Sequence, residues 1–320
     1  MSLKLDKKDR KILCELDMDA RQSFAAIAKK VKLSKEVVNY RIKELEKKSL
    51  IQGYYAVLDI TKMGYTYWRV FLKYHSISPE KEKEIMDYLR QNPAVGWVAV
   101  GDGRWDLTIV IWAKNLAAFE VVYDDFIFRY NKYFGDKYVA AAFKIYHFKR
   151  NYLYQTNDHS YALLGENKLV ELDKLDFKIL SLLTKNARMP AVDIADKLKC
   201  TANTIKNRIK KLTKEKIIIG FRAKLNSILL GYVHYKVFMH LNNLSGKKLK
   251  EIITRLNYNP NVIYITKSFG DAELEFEMML KTKNDLYKFM KVLREKFPKM
   301  IRDYQTVLYY EEPLIDYFPI

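Results

Sequence analysis

Two segments, residues 34–45 and 201–212, place small polar side chains and lysines at the spacing of one helix face. Each begins with a Ser or Thr that can cap a helix. Asparagine can pair with adenine through two hydrogen bonds, and lysine attracts phosphates, so these residue types are suited to reading DNA. The candidate DNA-binding residues are Ser34, Lys35, Asn39, Tyr40 and Lys43, and Thr201, Asn203, Lys206, Asn207 and Lys210.

The distribution of charge bears on this hypothesis, because lysines on a helix are often only a solvated face. The chain has 57 basic and 38 acidic residues, a net charge of +19. Residues 1–52 hold 14 basic and 8 acidic side chains, and residues 168–220 hold 13 and 6, so +13 of the +19 lies in these segments. This favours double-stranded DNA as partner. The first segment also carries Glu44 and Glu46, which makes the second the stronger candidate.

An internal repeat relates the two segments. An offset of 167 positions aligns residues 5–65 with 172–232 without a gap, with 25 identities in 61 positions. The same offset superposes Asn92-Pro93 on Asn259-Pro260 and Gly103 on Gly270. Arg41 and Arg208 are equivalent, and either a contact to DNA or a tertiary contact is compatible with their position beside core residues. The chain is therefore a tandem duplication.

Each half begins with three predicted helices. Apolar spacing indicates helices at 5–17 and 23–31, and Ser34 opens a third, which together make a helix-turn-helix. Residues 50–58 are predicted to form a hairpin, or wing, with Gly53 at its turn.

From residue 66 the apolar period changes to two, and the predicted order is βαββαβ, typical of a ferredoxin-like domain. The join at 148–167 is too aromatic for a flexible linker, and we expect it to dock on the surface. The predicted domains are a helix-turn-helix at 1–60, a ferredoxin-like sensing and assembly domain at 61–150, an ordered linker at 151–170, a second helix-turn-helix at 171–227 and a second ferredoxin-like domain at 228–320.

A strand at 272–280 alternates acidic and apolar residues, with Glu273, Glu275 and Glu277 on one face. Two interpretations are open. The face is either an acidic patch for a cationic effector such as a basic amino acid, or a sheet face whose carboxylates pair with neighbours such as Lys236.

Each half resembles the Lrp/AsnC (leucine-responsive, or feast/famine) transcription regulators over essentially its full length. The resemblance rests on Leu5-Asp6 through Ile12-Leu13, Asp19-Ala20-Arg21, Ser34 through Arg41-Ile42 to Leu45, Ile51-Gln52-Gly53-Tyr54 and Gly64. Ser49 and Lys216 stand where the family usually has Gly. The family's Gly-to-Asp loop matches Gly103-Arg104-Trp105-Asp106 and, altered, Gly270-Asp271-Ala272-Glu273.

The resemblance implies an α+β fold with two copies of a winged helix-turn-helix plus a ferredoxin-like domain, arranged as an internal pseudo-dimer. It also implies effector binding near the loop and self-association through the ferredoxin-like domains. The candidate effector-binding residues are Gly103, Asp106, Gly270, Glu273 and Glu275. We expect no catalytic residue, metal or cofactor.

Two other functions fit a duplicated chain of this kind. Siroheme decarboxylases resemble two Lrp-like halves, but the five histidines here are scattered. A protein-interaction module that does not read DNA would suit the acidic residues of the first segment.

The N-terminus has no apolar leader and no stretch is long enough to span a membrane, so we expect a cytoplasmic protein. Cys14 and Cys200 lack paired spacing and are predicted to be small buried residues.

Overall fold

The computed structural model describes residues 3–156, 158–165 and 168–319 and divides them into two compact units. The first unit contains the residues up to Asp59, Lys149–Ser160 and Leu169–Tyr232. The second contains Ile60–Phe148, Tyr161–Lys168 and the residues from Val233 onward. Each unit therefore combines the same part of both copies. Within the described residues, no helix has the length and apolar character needed to cross a bilayer.

The first unit holds two helix-turn-helix motifs, each followed by one strand. The first copy consists of α1 (Lys7–Met18), α2 (Phe24–Val31), α3 (Lys35–Lys47) and β1 (Ile51–Leu58). The second consists of α6 (Lys174–Lys185), α7 (Ala191–Leu198), α8 (Ala202–Lys214) and β7 (Ile218–Leu225). Asp6 and Asp173 cap α1 and α6 through capping boxes, since each side chain accepts from the backbone of the third helical residue.

The predicted hairpin with Gly53 at its turn is wrong. Residues 51–58 form one strand, β1, which pairs antiparallel with β7 of the other copy. Gly53 lies inside that strand with φ +151°. The turn before each strand is made instead by Ser49 and Lys216, whose φ angles are 56° and 57°, a left-handed conformation that explains the family's preference for Gly there.

The second unit contains both βαββαβ repeats, as the sequence predicts. The first copy is β2 (Thr66–Tyr74), α4 (Pro79–Gln91), β3 (Val95–Gly103), β4 (Leu107–Ala113), α5 (Leu116–Tyr130) and β5 (Phe134–Phe148). The second is β8 (Val233–Leu241), α9 (Gly246–Asn257), β9 (Val262–Phe269), β10 (Leu274–Leu280), α10 (Lys283–Lys296) and β11 (Ile301–Ile315).

The two copies share one sheet. The strand order β5-β2-β4-β3 of the first copy is repeated as β11-β8-β10-β9 in the second, and the pairs β3–β11 and β5–β9 join them into a closed ring. One face of each half packs under its own helices: Val70 and Leu72 belong to the first of these cores, and Phe276 to the second. The other face is shared, with Phe71 and Phe238 in contact across it. The predicted fold class, including the internal pseudo-dimer, is confirmed.

The join between the copies is docked through apolar side chains, as its aromatic content predicts, and it also supplies a strand that was not predicted. Tyr152 and Leu153 are buried in the first unit, and β6 (Tyr161–Leu164) extends the sheet by pairing with β5. Residues 157, 166 and 167 lie outside the described part of the join.

The two cysteines differ in burial. Cys14 is buried as predicted, and burial raises the pKa of its thiol to about 12, whereas Cys200 is only half-buried.

Candidate nucleic-acid interface

The third helix of each motif presents the predicted DNA-binding face to solvent. Ser34 and Thr201 cap α3 and α8 by accepting from the backbone N–H of Val37 and Thr204, at 3.2 and 3.1 Å. All ten candidate residues are exposed except Asn39, which is half-buried. The buried side of α3 holds Val38, Ile42 and Leu45. Each helix is therefore anchored by its apolar side with its polar side free.

The open question about Arg41 and Arg208 has a geometric answer. Arg41 Nη1 lies 2.7 and 2.8 Å from carboxylate oxygens of Asp6 and Asp9, at the start of α1. Arg208 makes the equivalent contacts with Asp173 and Asp176 at 2.5 and 3.1 Å. These arginines join the third helix to the first. The pKa values of the capping carboxyls of Asp6 and Asp173 are lowered, mainly by the backbone hydrogen bonds of each cap and next by the arginine.

The two exposed helix faces differ in charge. The α8 sequence has five basic residues and no acidic one, whereas α3 has four basic and three acidic. In α3, Glu46 accepts a hydrogen bond from the Tyr54 hydroxyl at 2.6 Å, and Glu44 lies 3.8 Å from Lys48. Positive charge is therefore more concentrated on α8 than on α3.

The two motifs are held together by reciprocal contacts between equivalent residues. Arg21 donates to the carbonyl oxygen of Ala187, and Arg188 donates to that of Ala20 at 2.7 Å. In the β1–β7 ladder, Tyr55 lies opposite its own equivalent, Arg222. A local pseudo-twofold axis therefore passes between these two residues, as in a symmetric dimer.

The candidate effector residues of the two loops hold these loops in place. Asp106 accepts from the backbone N–H of Tyr74 at 2.8 Å, and Glu273 accepts from that of Leu241 at the same distance. Gly103 has φ +118°, and a Cβ there would lie 2.5 Å from the carbonyl oxygen of Thr306. A Cβ on Gly270 would collide with the Tyr138 hydroxyl. These four residues fix the loops against neighbouring strands.

Glu275 belongs to an ionic network on the shared inner face of the sheet. Its carboxylate accepts two hydrogen bonds from the Arg69 guanidinium, one of them at 2.7 Å. It also lies 2.9 Å from Lys236 Nζ. Lys236 also lies 2.8 Å from Glu277, which is 3.0 Å from His234 Nε2. Burial alone would raise the pKa of Glu275, but Arg69 and Lys236 outweigh it and lower that pKa to about 2. The contacts of Glu275 therefore match the second interpretation of this strand, in which its carboxylates pair with basic neighbours. The residue is only 1% exposed.

An open pocket of about 800 Å³ lies beside the two loops, and no residue of the predicted effector set lines it. Its lining residues are Arg104, Trp105, Asp136, Lys137, Tyr138, Asp271 and Gln305. Arg104 and Asp271 form an ion pair at 2.9 Å across it. The 167-residue offset makes them equivalent positions of opposite charge, a signal that sequence alignment of the two halves could have provided. Among the described residues, no group of His, Cys, Asp and Glu is placed to hold a metal.

Comparison with known proteins agrees with this geometry. Residues 5–52 match the winged helix-turn-helix DNA-binding family, and residues 172–213 match the AsnC-type helix-turn-helix domain. An uncharacterized HTH-type transcriptional regulator of Pyrococcus furiosus is 34% identical over 122 residues, 38% of this chain and 81% of the relative. The HTH-type transcriptional regulator LrpA of Pyrococcus horikoshii is 34% identical over 111 residues, 35% of this chain and 77% of the relative.

The paired motifs and these relatives define a DNA-binding transcription regulator. The chain belongs to the Lrp/AsnC family, and it carries the family's fold twice. Over the whole chain, the fold is similar to that of the siroheme decarboxylase NirDL, with a TM-score of 0.64 and 12% identity, covering 98% of this chain and 94% of that one. At this identity the likeness establishes the fold alone.

Proposed function

We propose that this regulator binds one asymmetric DNA site through both helix-turn-helix motifs, with α8 as the stronger reader and α3 as the weaker. The observation that carries the proposal is the difference between two equivalent exposed faces. The α8 helix has five basic and no acidic residues, and α3 has four and three. A positive helix face without acidic neighbours supplies more of the sequence-independent binding energy.

The roles of the individual residues follow from their position on each helix. Asn203 and Asn207, with Asn39 and Tyr40 in the first copy, are the candidates for base edges, because the first turns of such a helix enter the major groove. Lys206 and Lys210, with Lys35 and Lys43, are the candidates for phosphates. Ser34 and Thr201 cap the N-terminal ends of these helices, whose partial positive charge favours a nearby DNA phosphate.

Selection of binding sites from random DNA, followed by footprinting, tests this proposal. We expect two unequal half-sites with centres about 10 bp apart, or a multiple of that. The Asn203→Ala variant should alter preference in one half-site and Asn39→Ala in the other. A footprint over one lone half-site, unchanged in size when either motif is disabled, would refute the arrangement.

The same proposal makes the chain a regulator rather than an enzyme, although its fold is similar to that of a decarboxylase. The shared inner face of the sheet supports this, because it is filled by the side chains of Phe71, Phe238 and Tyr309 together with the Arg69–Glu275 pair. Titration with siroheme tests the enzymatic alternative directly. A new visible absorption band with saturable binding would favour that alternative over ours.

For the effector, the proposal places a small zwitterion such as an amino acid in the open pocket, beside the predicted residues of the two loops. Arg104 and Lys137 could meet a carboxylate, and Asp271 and Asp136 an ammonium group. The Trp105 Nε1–H is buried, has no hydrogen-bond partner within the described residues, and belongs to a residue that lines the pocket. Calorimetry with lysine, arginine and neutral amino acids checks this, with Asp271→Asn as the variant and Glu275→Gln as the comparison. Equal titrations for wild type and Asp271→Asn would discard the pocket.

A further inference from the structure

The helical layers that cover the two halves of the sheet carry opposite charge. Helices α4 and α5 contain seven acidic and four basic residues. Helices α9 and α10 contain three acidic and nine basic ones. The first layer is therefore acidic and the second strongly basic, although both descend from the same repeat.

The charge difference is concentrated at equivalent positions. The 167-residue offset superposes Asp124 of α5 on Lys291 of α10, and Glu80 of α4 on Lys247 of α9. At a third pair of positions the first copy is apolar where the second is basic, with Val121 superposed on Lys288. One surface of the ancestral repeat has therefore become two surfaces of complementary character.

The side chains that create this difference have no ion-pair partner in the described part of the chain. This holds for Glu120 and Asp124 on α5 and for Lys288 and Lys291 on α10. The same helices expose large apolar side chains beside these charges. Val121 and Phe128 of α5 are 71% and 79% exposed, and Tyr287 of α10 is 63% exposed. Exposed apolar groups of this size, rimmed by unpaired charge, mark a surface for a protein partner.

We propose that the partner is a second copy of this chain, with the α4–α5 layer of one molecule docked on the α9–α10 layer of the next. Charge complementarity selects this arrangement, because α5 against α5 would oppose carboxylates and α10 against α10 would oppose lysines. The contact is heterologous, so it leaves an unused acidic layer at one end and an unused basic layer at the other. It therefore propagates into a ring or a linear array. This inference does not depend on which helix reads DNA.

The alternative partner for the basic layer alone is a polyanion such as DNA. That alternative accounts for Lys288 and Lys291 but not for the acidic, apolar surface of α5. The closed ring also favours helix-to-helix contact, because closure pairs both edges of the eight strands of the two repeats and withdraws them from edge-to-edge association.

Sedimentation velocity of the full chain at low salt, with two charge-reversal variants, tests the proposal. The acidic-face variant is Glu120→Lys/Asp124→Lys, and the basic-face variant is Lys288→Glu/Lys291→Glu. We expect the wild type to associate in a salt-sensitive manner and each variant alone to associate at least about tenfold more weakly. The conservative variant Lys288→Arg/Lys291→Arg should behave as the wild type. Circular dichroism and thermal unfolding confirm that each variant is folded.

Mixing the two variants gives the sharpest outcome. The acidic-face variant carries two basic layers and the basic-face variant carries two acidic ones, so an equimolar mixture brings opposite charges together again and should recover the association that each variant alone has lost. The proposal is overturned if the wild type stays monomeric at all concentrations, or if only the acidic-face variant weakens association. It is equally overturned if the basic-face variant lowers affinity for DNA without changing association.

Discussion

Arg104 and Asp271 occupy equivalent positions in the two copies and form an ion pair with each other, Nη2 to Oδ2 at 2.9 Å. In a symmetric dimer, a residue that meets its own equivalent near the axis faces an identical side chain. Fusion of two copies into one chain removes that restriction. The inner face of the sheet shows the same divergence, because Glu275 of the second copy corresponds to Thr108 of the first. The halves are therefore complementary rather than identical.

Reversal of the Arg104–Asp271 pair should reveal this complementarity. The Arg104→Asp variant opposes two carboxylates and Asp271→Arg opposes two guanidinium groups, so each should lower the free energy of unfolding by about 0.2–1 kcal/mol, as is usual for exposed pairs. The double variant restores opposite charges and should recover most of the loss. Denaturant unfolding of all four proteins measures the coupling. Strictly additive losses would show that the pair is incidental.

The buried Arg69–Glu275 pair should give a larger effect. Arg69→Met alone leaves a buried carboxylate without its two-bond partner, and we expect a loss of about 3–5 kcal/mol in the free energy of unfolding. The double variant Arg69→Met/Glu275→Met removes both charges and should be more stable than Arg69→Met. Chemical denaturation at neutral pH provides the comparison. A double variant less stable than the single one would contradict the account.

The lowered pKa of Glu275 predicts acid sensitivity. The folded protein holds that pKa at about 2, against an ordinary value of 4.5 for a glutamate. The stabilisation is therefore fully present above the unfolded-state pKa and is lost as the pH falls through 4.5 toward 2. Denaturant unfolding at a series of pH values should show a flatter profile for Glu275→Gln than for the wild type. The exposed Glu295→Gln control should keep the wild-type slope, and an unchanged slope in Glu275→Gln would argue against the buried pair as its source.

The loop glycine Gly103 should not tolerate a side chain. Its φ of +118° and the carbonyl oxygen of Thr306 both oppose a Cβ, so Gly103→Ala should lower the free energy of unfolding by about 1–3 kcal/mol. Gly220→Ala is the matched control, because a Cβ at Gly220 meets nothing within 4 Å. Equal melting temperatures for the two variants would contradict the steric explanation.

The sequence predicted the elements of each half well, because local apolar spacing determines them. The α2 and α3 helices begin after Ser23 and Ser34, where capping residues precede an apolar stripe. The order βαββαβ followed from the change of period to two. These are local signals, and they survive duplication unchanged.

The partners of those elements could not be predicted in the same way. The β1 strand pairs with β7, about 170 residues away, and nothing in residues 50–58 distinguishes that pairing from a hairpin. The alternation in β10 correctly placed Glu275 and Glu277 on one face but could not show that the face is buried. Arg69, which neutralises Glu275, lies 206 positions away in the other copy. Closure of the sheet is a tertiary property that no single strand encodes.

The most direct test of the account is the salt dependence of binding to a selected DNA site. The Lys206→Ala/Lys210→Ala variant of α8 should bind more weakly to all sequences, and the slope of log affinity against log salt should fall by about 2. The matched variant of α3, Lys35→Ala/Lys43→Ala, should lose less affinity. If the α8 variant keeps the wild-type affinity and slope while the α3 variant loses both, the assignment of α8 as the stronger reader is wrong.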